Sequence, residues 1–465
     1  MLFTQVEFII FFAVLILFLS FTRSCTRDKF VVRNIVLLLA SYYFYAYWDW
    51  RFLSLIIIST FVDFFVGKRI ARTGVPSERR ILLFLSVFCN LAILGVFKYY
   101  NFFVVSFSEF LSLFGLKLGT FNIILPIGIS FYTFQTMSYT IDIYRKRIQP
   151  CESFLNFALF VAFFPQLVAG PIVRARDLLP QIENPGYLSQ SGVLKGSKQF
   201  IFGLFKKVFI ADRIAYFVDY VFENVTVFDS LTVWIAVIAY AIQIYCDFSG
   251  YSDMAIGVAR MMGYRFKKNF NHPYNSTNIS EFWRKWHISL SSWLKDYVYI
   301  SFGGNRGGRL NTYRNLMATM LLGGLWHGAS WTFVVWGGIH GLALVAHKLY
   351  RETQKAMPAF AGWLLTMLTI LTGWVFFRAQ SFENAYAFLS KMFMFSSGIK
   401  WFQPFVLFAI FLMFVSHVLC VIRPFRRLRY LPVQSIKTST ILFTMLFLVI
   451  LFYPRDFRPF IYFQF

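Results

Sequence analysis

Apolar stretches recur from one end of the chain to the other, separated by short polar segments that hold most of the charge. They fall at 6–21, 30–48, 52–66, 81–97, 122–144, 154–169, 231–262, 331–347, 362–377, 402–421 and 438–453. A hydrocarbon core about 30 Å thick takes roughly 20 helical residues. Backbone polar groups find no water there, so a helix is the local way to satisfy them. The pattern therefore predicts an all-α polytopic membrane protein with about 11 transmembrane helices, the one at 231–262 long enough to be broken. Two regions read differently. In 195–223, Lys198, Lys206, Lys207, Asp212 and Arg213 interrupt a Phe/Ile-rich sequence. In 278–302, a helix would align Trp283, Trp286, His287, Leu290 and Trp293 on one face. Both predict interfacial or re-entrant amphipathic helices.

Composition supports this reading. Of 465 residues, 58% are hydrophobic and only 14% charged, too little polar surface for a soluble chain of this length. No long polar linker divides the sequence, so a single integral domain over 1–465 is expected, with an aromatic tail at 454–465. The formal charge of +24 suggests nucleic acid at first sight. The cations lie in short clusters between apolar runs, however, as the positive-inside rule expects, and they argue for lipid or phosphate contacts instead. Arg23, Arg27, Lys29 and Arg33 place the first loop in the cytoplasm and the N-terminus outside. Lys68, Arg69, Arg72, Arg79 and Arg80, then Arg145, Lys146 and Arg147, fall on the same side. Arg423, Arg426, Arg427 and Arg429 precede the last span, which puts the C-terminal tail outside. The N-terminus lacks a basic n-region and a cleavage site, so the first segment is expected to be retained. Five scattered cysteines without CxxC spacing support neither a zinc site nor a disulfide framework.

The chemistry centres on Leu325-Trp326-His327-Gly328-Ala329-Ser330-Trp331. The apolar run at 316–325 covers about 15 Å, too short to cross a bilayer, which places His327 at membrane depth. Titratable groups there mark functional sites. Gly323, Gly324 and Gly328 permit close approach of backbone or ligand, and Trp326 and Trp331 can wall a cavity. His340 and His347, seven apart on one helix, lack a third metal ligand and read as structural, as does His417; no metal site is expected. Asp247 and Asp253, with Ser249 and Ser252, form a polar group in an apolar setting, either as glue between helices or as part of a chamber lining. Gly303-Gly304-Asn305-Arg306-Gly307-Gly308-Arg309 has no GK[ST] and is no P-loop. It reads as a flexible cytoplasmic loop or a contact for a phosphorylated donor. No GxSxG elbow occurs.

Several motifs together resemble the membrane-bound O-acyltransferase family, in particular its bacterial branch that serves alginate or peptidoglycan O-acetylation. They are Phe163-Phe164-Pro165-Gln166, Tyr245-Cys246-Asp247-Phe248-Ser249-Gly250, Phe270-Asn271-His272-Pro273-Tyr274, Phe282-Trp283-Arg284-Lys285-Trp286-His287 and Trp326-His327-Gly328-Ala329. The resemblance implies a helical fold around a central chamber in the bacterial cytoplasmic membrane. It implies His327 as catalytic histidine, with His287 as the second motif histidine. Trp326, Trp331, Trp283, Trp286, Asp247 and Asp253 are expected to line the chamber. It implies acetyl-CoA as donor substrate, with no bound cofactor, and its phosphates are expected near Arg306, Arg309 or Lys267. It also implies an acceptor polysaccharide reached through an extracytoplasmic SGNH-type acetyltransferase partner.

The tail resembles the C-terminal motif of a small partner in D-alanine transfer, which makes Tyr462 a candidate acyl relay; aromatic anchoring at the interface is the alternative. D-alanyl transfer to teichoic acid and a polysaccharide or lipid transporter are the rival functions. A transporter would not need two Trp-His motifs, and no inverted repeat is visible. A non-catalytic scaffold for a periplasmic acetyltransferase is a further alternative.

Overall fold

The computed structural model describes residues 1–25, 29–115, 119–186, 188–421, 435–454 and 459–461. Arg27, the basic group Arg423, Arg426, Arg427 and Arg429, and Tyr462 lie outside the described residues. The described chain is helical: α1 (Val6–Cys25), α2 (Lys29–Asp49), α3 (Leu53–Arg72), α4 (Pro76–Leu94), α5 (Tyr100–Ser112), α6 (Ile129–Tyr144), α7 (Phe154–Ala162), α8 (Phe164–Leu167), α9 (Ala175–Glu183), α10 (Gln190–Leu204) and α11 (Asp212–Glu223) come first. They are followed by α12 (Ser230–Met261), α13 (Ile279–Lys285), α14 (Ile288–Trp293), α15 (Arg309–His327), α16 (Trp331–Glu352), α17 (Ala359–Arg378), α18 (Phe382–Phe393), α19 (Pro404–Val421) and α20 (Ile436–Leu451). Only an isolated bridge, between Phe228 and Ile399, departs from helix and loop among the described residues. Five stretches are long and apolar enough to cross a membrane, Phe30–Arg72, Pro76–Ser108, Ser230–Met261, Trp331–Glu352 and Ala359–Arg378, with three shorter apolar helices besides. The first, 43 residues long, is divided where Asp49 caps a short 3-10 turn, which separates α2 from α3.

The chain forms two compact units. The first comprises 1–197 and 255–266, the second 198–254 and 267–465. Polar contacts between apolar helices organise the first. Asp63 on α3 accepts from Ser86 Oγ (2.5 Å) and Asn90 Nδ2 (2.8 Å) on α4, and Asn90 Oδ1 accepts from Thr136 Oγ1 on α6 (3.0 Å). Such side chains cannot find water in hydrocarbon and so bind one another. Arg33 is not a free loop cation. Its guanidinium donates to the Gly186 and Met262 carbonyls at 2.8 and 2.6 Å and stands over the Tyr264 ring.

Two expected spans of this unit have other bounds. The span expected at 154–169 breaks after Ala162, because Pro165 cannot supply a helical N–H. At this break the Phe164 N–H, which a helix would direct to the Phe160 carbonyl, turns to Ser41 Oγ, and that carbonyl accepts from Gln135 and Gln166 Nε2 at 2.6 and 2.8 Å. The span expected at 122–144 becomes helical only at Ile129. Gly128 before it has φ +78°, and a Cβ there would lie 2.5 Å from the Leu167 carbonyl oxygen.

In the second unit, α15 and α16 pack as an antiparallel pair joined by three residues. Small residues set how closely they meet. A Cβ on Gly324 would stand 2.2 Å from the Phe333 carbonyl oxygen, and one on Gly337 2.3 Å from that of Met320. Both obstacles are backbone and cannot rotate away. Gly324→Ala is expected to force the pair apart at about 1–3 kcal/mol, read as a lower melting temperature of the purified protein. An unchanged melting temperature would refute this packing.

Candidate active site

His327 ends α15. That helix starts at Arg309, well before the apolar run at 316–325, and it rises about 27 Å over its length. Its polar first turns stay helical, so the run is one part of a longer element rather than a complete short one. The helix stops because Gly328 adopts an extended backbone, with φ −157°, and Ser330 then caps α16. His327 is buried, 4% exposed. Its imidazole stands edge-on to Trp326 (ring centroids 5.0 Å apart), Trp336 (4.9 Å) and Phe377 (5.4 Å). The glycine after it serves packing, since a Cβ on Gly328 would meet the Phe333 ring at 2.1 Å.

His287 lies at a break rather than inside the helix that its periodicity predicts. α13 ends at Lys285 and α14 begins at Ile288, with His287 between them at φ +41°. The cause is a segment distant in sequence that takes the backbone groups a continuous helix would use. Asn271 N–H donates to the Lys285 carbonyl, Ile288 N–H to the Asn269 carbonyl, and Ser289 N–H to Asn269 Oδ1. A non-glycine residue in the left-handed region carries a cost of about 1–3 kcal/mol and tends to mark a site held by its surroundings. The ring repays part of it locally: His287 Nδ1 accepts the Leu290 N–H at 3.2 Å and so caps α14. An accepting Nδ1 carries no proton, so the neutral ring bears its hydrogen on Nε2.

Trp326 joins the two histidines, its ring 6.2 Å from that of His287 and 5.0 Å from that of His327. Around them is an aromatic layer. Trp336 touches His340 (4.9 Å) and Trp283 (5.8 Å), Trp283 touches His340 (5.1 Å), and Trp286 stacks on Phe282 and meets Trp374. Of the four expected tryptophans, Trp326, Trp283 and Trp286 join this layer. Trp331 does not share their burial: it opens α16 with 49% of its surface exposed. Trp336, five residues on, supplies the wall beside His327. Trp336, Trp374 and Phe377 carried no sequence signal, because they reach the site from other helices by packing alone.

Asp247 and Asp253 belong to a charged group beside this layer. A π-helical turn at Phe205–Ala211 presents two consecutive lysines. Lys206 pairs with Asp253 (2.5 Å) and donates to Ser249 Oγ (2.9 Å). Lys207 pairs with Asp212 (2.7 Å) and Asp247 Oδ1 (2.6 Å). The other Asp247 oxygen accepts the Ile461 N–H at 2.8 Å. The described part of the tail thus folds back, and Phe460 packs on Tyr251 and Phe248, the latter lying against the His287 ring at 4.6 Å. Asp247 therefore adjoins the site through Phe248, whereas Asp253 is held to Lys206 and Gln199. The expected donor contacts lie elsewhere. Arg306 and Lys267 are exposed in loops, and Arg309, at the start of α15, pairs with Glu352 at 3.5 Å.

Residues 6–389 match the profile of the membrane-bound O-acyltransferase family. The chain belongs to this family. The probable alginate O-acetylase of Pseudomonas aeruginosa is 46% identical over 372 residues, covering 78% of this chain and 70% of that protein. The peptidoglycan O-acetyltransferase of Helicobacter pylori is 40% identical over 386 residues, 77% and 73% of the two chains. The teichoic acid D-alanyltransferase of Bacillus subtilis is 26% identical over 244 residues, half of this chain and 62% of that one. With the family and its apolar helices together, the chain is a multi-pass membrane acyltransferase.

Proposed function

We propose that the protein moves acetyl groups from cytoplasmic acetyl-CoA across the bacterial cytoplasmic membrane for O-acetylation of an extracytoplasmic polysaccharide, with His327 as general base. The observation that carries the reading is the pair of buried imidazoles, His327 and His287, set against one Trp326 ring in a chain whose relatives include O-acetylases. The basic loops support termini outside and donor entry from the cytoplasm.

In the proposed reaction an acceptor hydroxyl attacks the thioester carbonyl while His327 takes its proton. The carbon–sulfur bond then breaks, and the imidazolium returns the proton to the departing thiolate. His287 is suited to a different task. With Nδ1 committed to the Leu290 N–H, its Nε2–H is a donor, fit to stabilise the oxyanion rather than to act as base. Trp326 and Trp336, both nearly inaccessible, exclude water that would hydrolyse the thioester. Purified protein with labelled acetyl-CoA should release CoA in the presence of acceptor. No release would overturn the reading.

The acetyl group is then handed to an SGNH-type partner that modifies the polysaccharide, peptidoglycan or an alginate-like chain. D-alanyl transfer is less well supported, because the D-alanyltransferase relative matches only half of the chain. In the same proposal Tyr462 serves as relay. It directly follows Ile461, whose amide Asp247 holds near His287. The Tyr462 phenol would accept the acetyl group and pass it to the partner's nucleophile, regaining its proton. Tyr462→Phe should reduce polysaccharide acetylation in cells to background. Full acetylation by that variant would rule out the relay.

A further inference from the structure

A cavity of about 460 Å³ opens between α13, the end of α16 and the start of α17. Its eleven lining residues include Arg284, Arg351, Lys355 and His347, and none is acidic. Ser280 and Tyr350 add hydroxyls. The nearest carboxylates in sequence are already paired: Glu352 with Arg309 and Tyr313, and Glu281 with Lys285 and with the N–H and Oγ1 of Thr277, which itself lines the cavity. Pro358 and Ala359 also line the cavity, so the N-terminus of α17 abuts it, and no side chain caps that end. Three fixed cations and the positive end of a 20-residue helix converge on one concavity. Such a site suits a ligand with several phosphates.

Its place relative to the histidines matters as much as its charge. Arg284 is three residues from His287, so their Cα atoms lie at most about 11 Å apart. Along α16, His347 is about 10 Å from His340, which is in ring contact with Trp336. Trp336 in turn touches His327. The cavity therefore adjoins the aromatic layer but is separate from it, as a ligand with a charged head and a long uncharged arm requires.

We infer that this cavity, through Arg284, Arg351 and Lys355, holds the phosphate-bearing end of the thioester donor while its pantetheine arm reaches toward His327. The inference rests on the proposed donor and replaces Arg306, Arg309 and Lys267 as the expected contacts. A second source of the same chemistry is the headgroup of an anionic lipid, and the test separates the two.

The protein is reconstituted in nanodiscs of phosphatidylcholine alone and assayed with acetyl-CoA and with S-acetyl-pantetheine, which has no phosphate. Arg351→Gln and Lys355→Gln should each raise the KM for acetyl-CoA about tenfold and leave kcat within twofold. Neither should alter kcat/KM for S-acetyl-pantetheine. Added 3′,5′-ADP should inhibit the wild type more strongly than either variant. Wild-type KM values for acetyl-CoA in both variants would overturn the inference and leave the proposed function standing. Loss of co-purifying phosphatidylglycerol without a change in KM would assign the cavity to lipid and equally overturn it. A wild type that does not turn over acetyl-CoA at all would instead refute the donor, which is a failure of the proposed function.

Discussion

His327→Ala is expected to lower acetyl-CoA turnover by about 10²- to 10⁴-fold, the range a positioned general base supplies. The ring is buried between Trp326, Trp336 and Phe377, so its truncation also leaves a void. A void of that kind destabilises by roughly 2–4 kcal/mol, and lost activity alone would not separate chemistry from folding. His327→Asn keeps most of the volume without a base of useful pKa. Both variants should show that loss in the CoA-release assay, while His327→Asn keeps a melting temperature and gel-filtration profile close to the wild type. Turnover by His327→Asn at the wild-type rate would remove His327 from the chemistry.

Lys207→Met is expected to be the most destabilising of the exchanges considered. The Lys207 ammonium is shared by Asp212 and Asp247, and all three side chains are buried. Removing it leaves two carboxylates close together without their cation. Breaking a buried pair in this way costs about 3–5 kcal/mol, because burial denies the remaining carboxylates full hydration. The melting temperature in detergent should fall steeply. Adding Asp247→Asn to Lys207→Met should restore part of it, since one of the two charges is then gone. The asparagine Oδ1 can still accept from Ile461 N–H, so the tail stays seated. Equal melting temperatures for wild type and Lys207→Met would contradict this account.

The helical class and the two Trp-His motifs were legible in the sequence, because membrane burial imposes long apolar runs and because an imidazole among them is costly. That His287 and His327 both meet the ring of Trp326 was not legible from the two motifs, which lie forty residues apart. The break at His287 was not legible. Its apolar spacing fits a helix, and what interrupts the helix is the backbone and side chain of Asn269, eighteen residues earlier. Trp331 and Trp336 show the same limit. Both are tryptophans on α16, and only the direction in which each leaves the helix decides that Trp336 reaches His327. The seating of Ile461 on Asp247 joins residues 214 apart and follows from no local pattern.

The π-helical turn at Phe205–Ala211 has a consequence for chain length. Such a turn takes up one residue more than regular α-helix would. It sets the register in which adjacent lysines divide between two carboxylate partners, Lys206 toward Asp253 and Lys207 toward Asp247. Loss of a single residue there would return the turn to regular α-helix with its flanks in place, but the two lysines could no longer both keep their partners, even if every charged residue survived. Spacing at this turn is thus constrained independently of composition, and a gap in this segment among related chains would signal a rewired charge group rather than a neutral trimming.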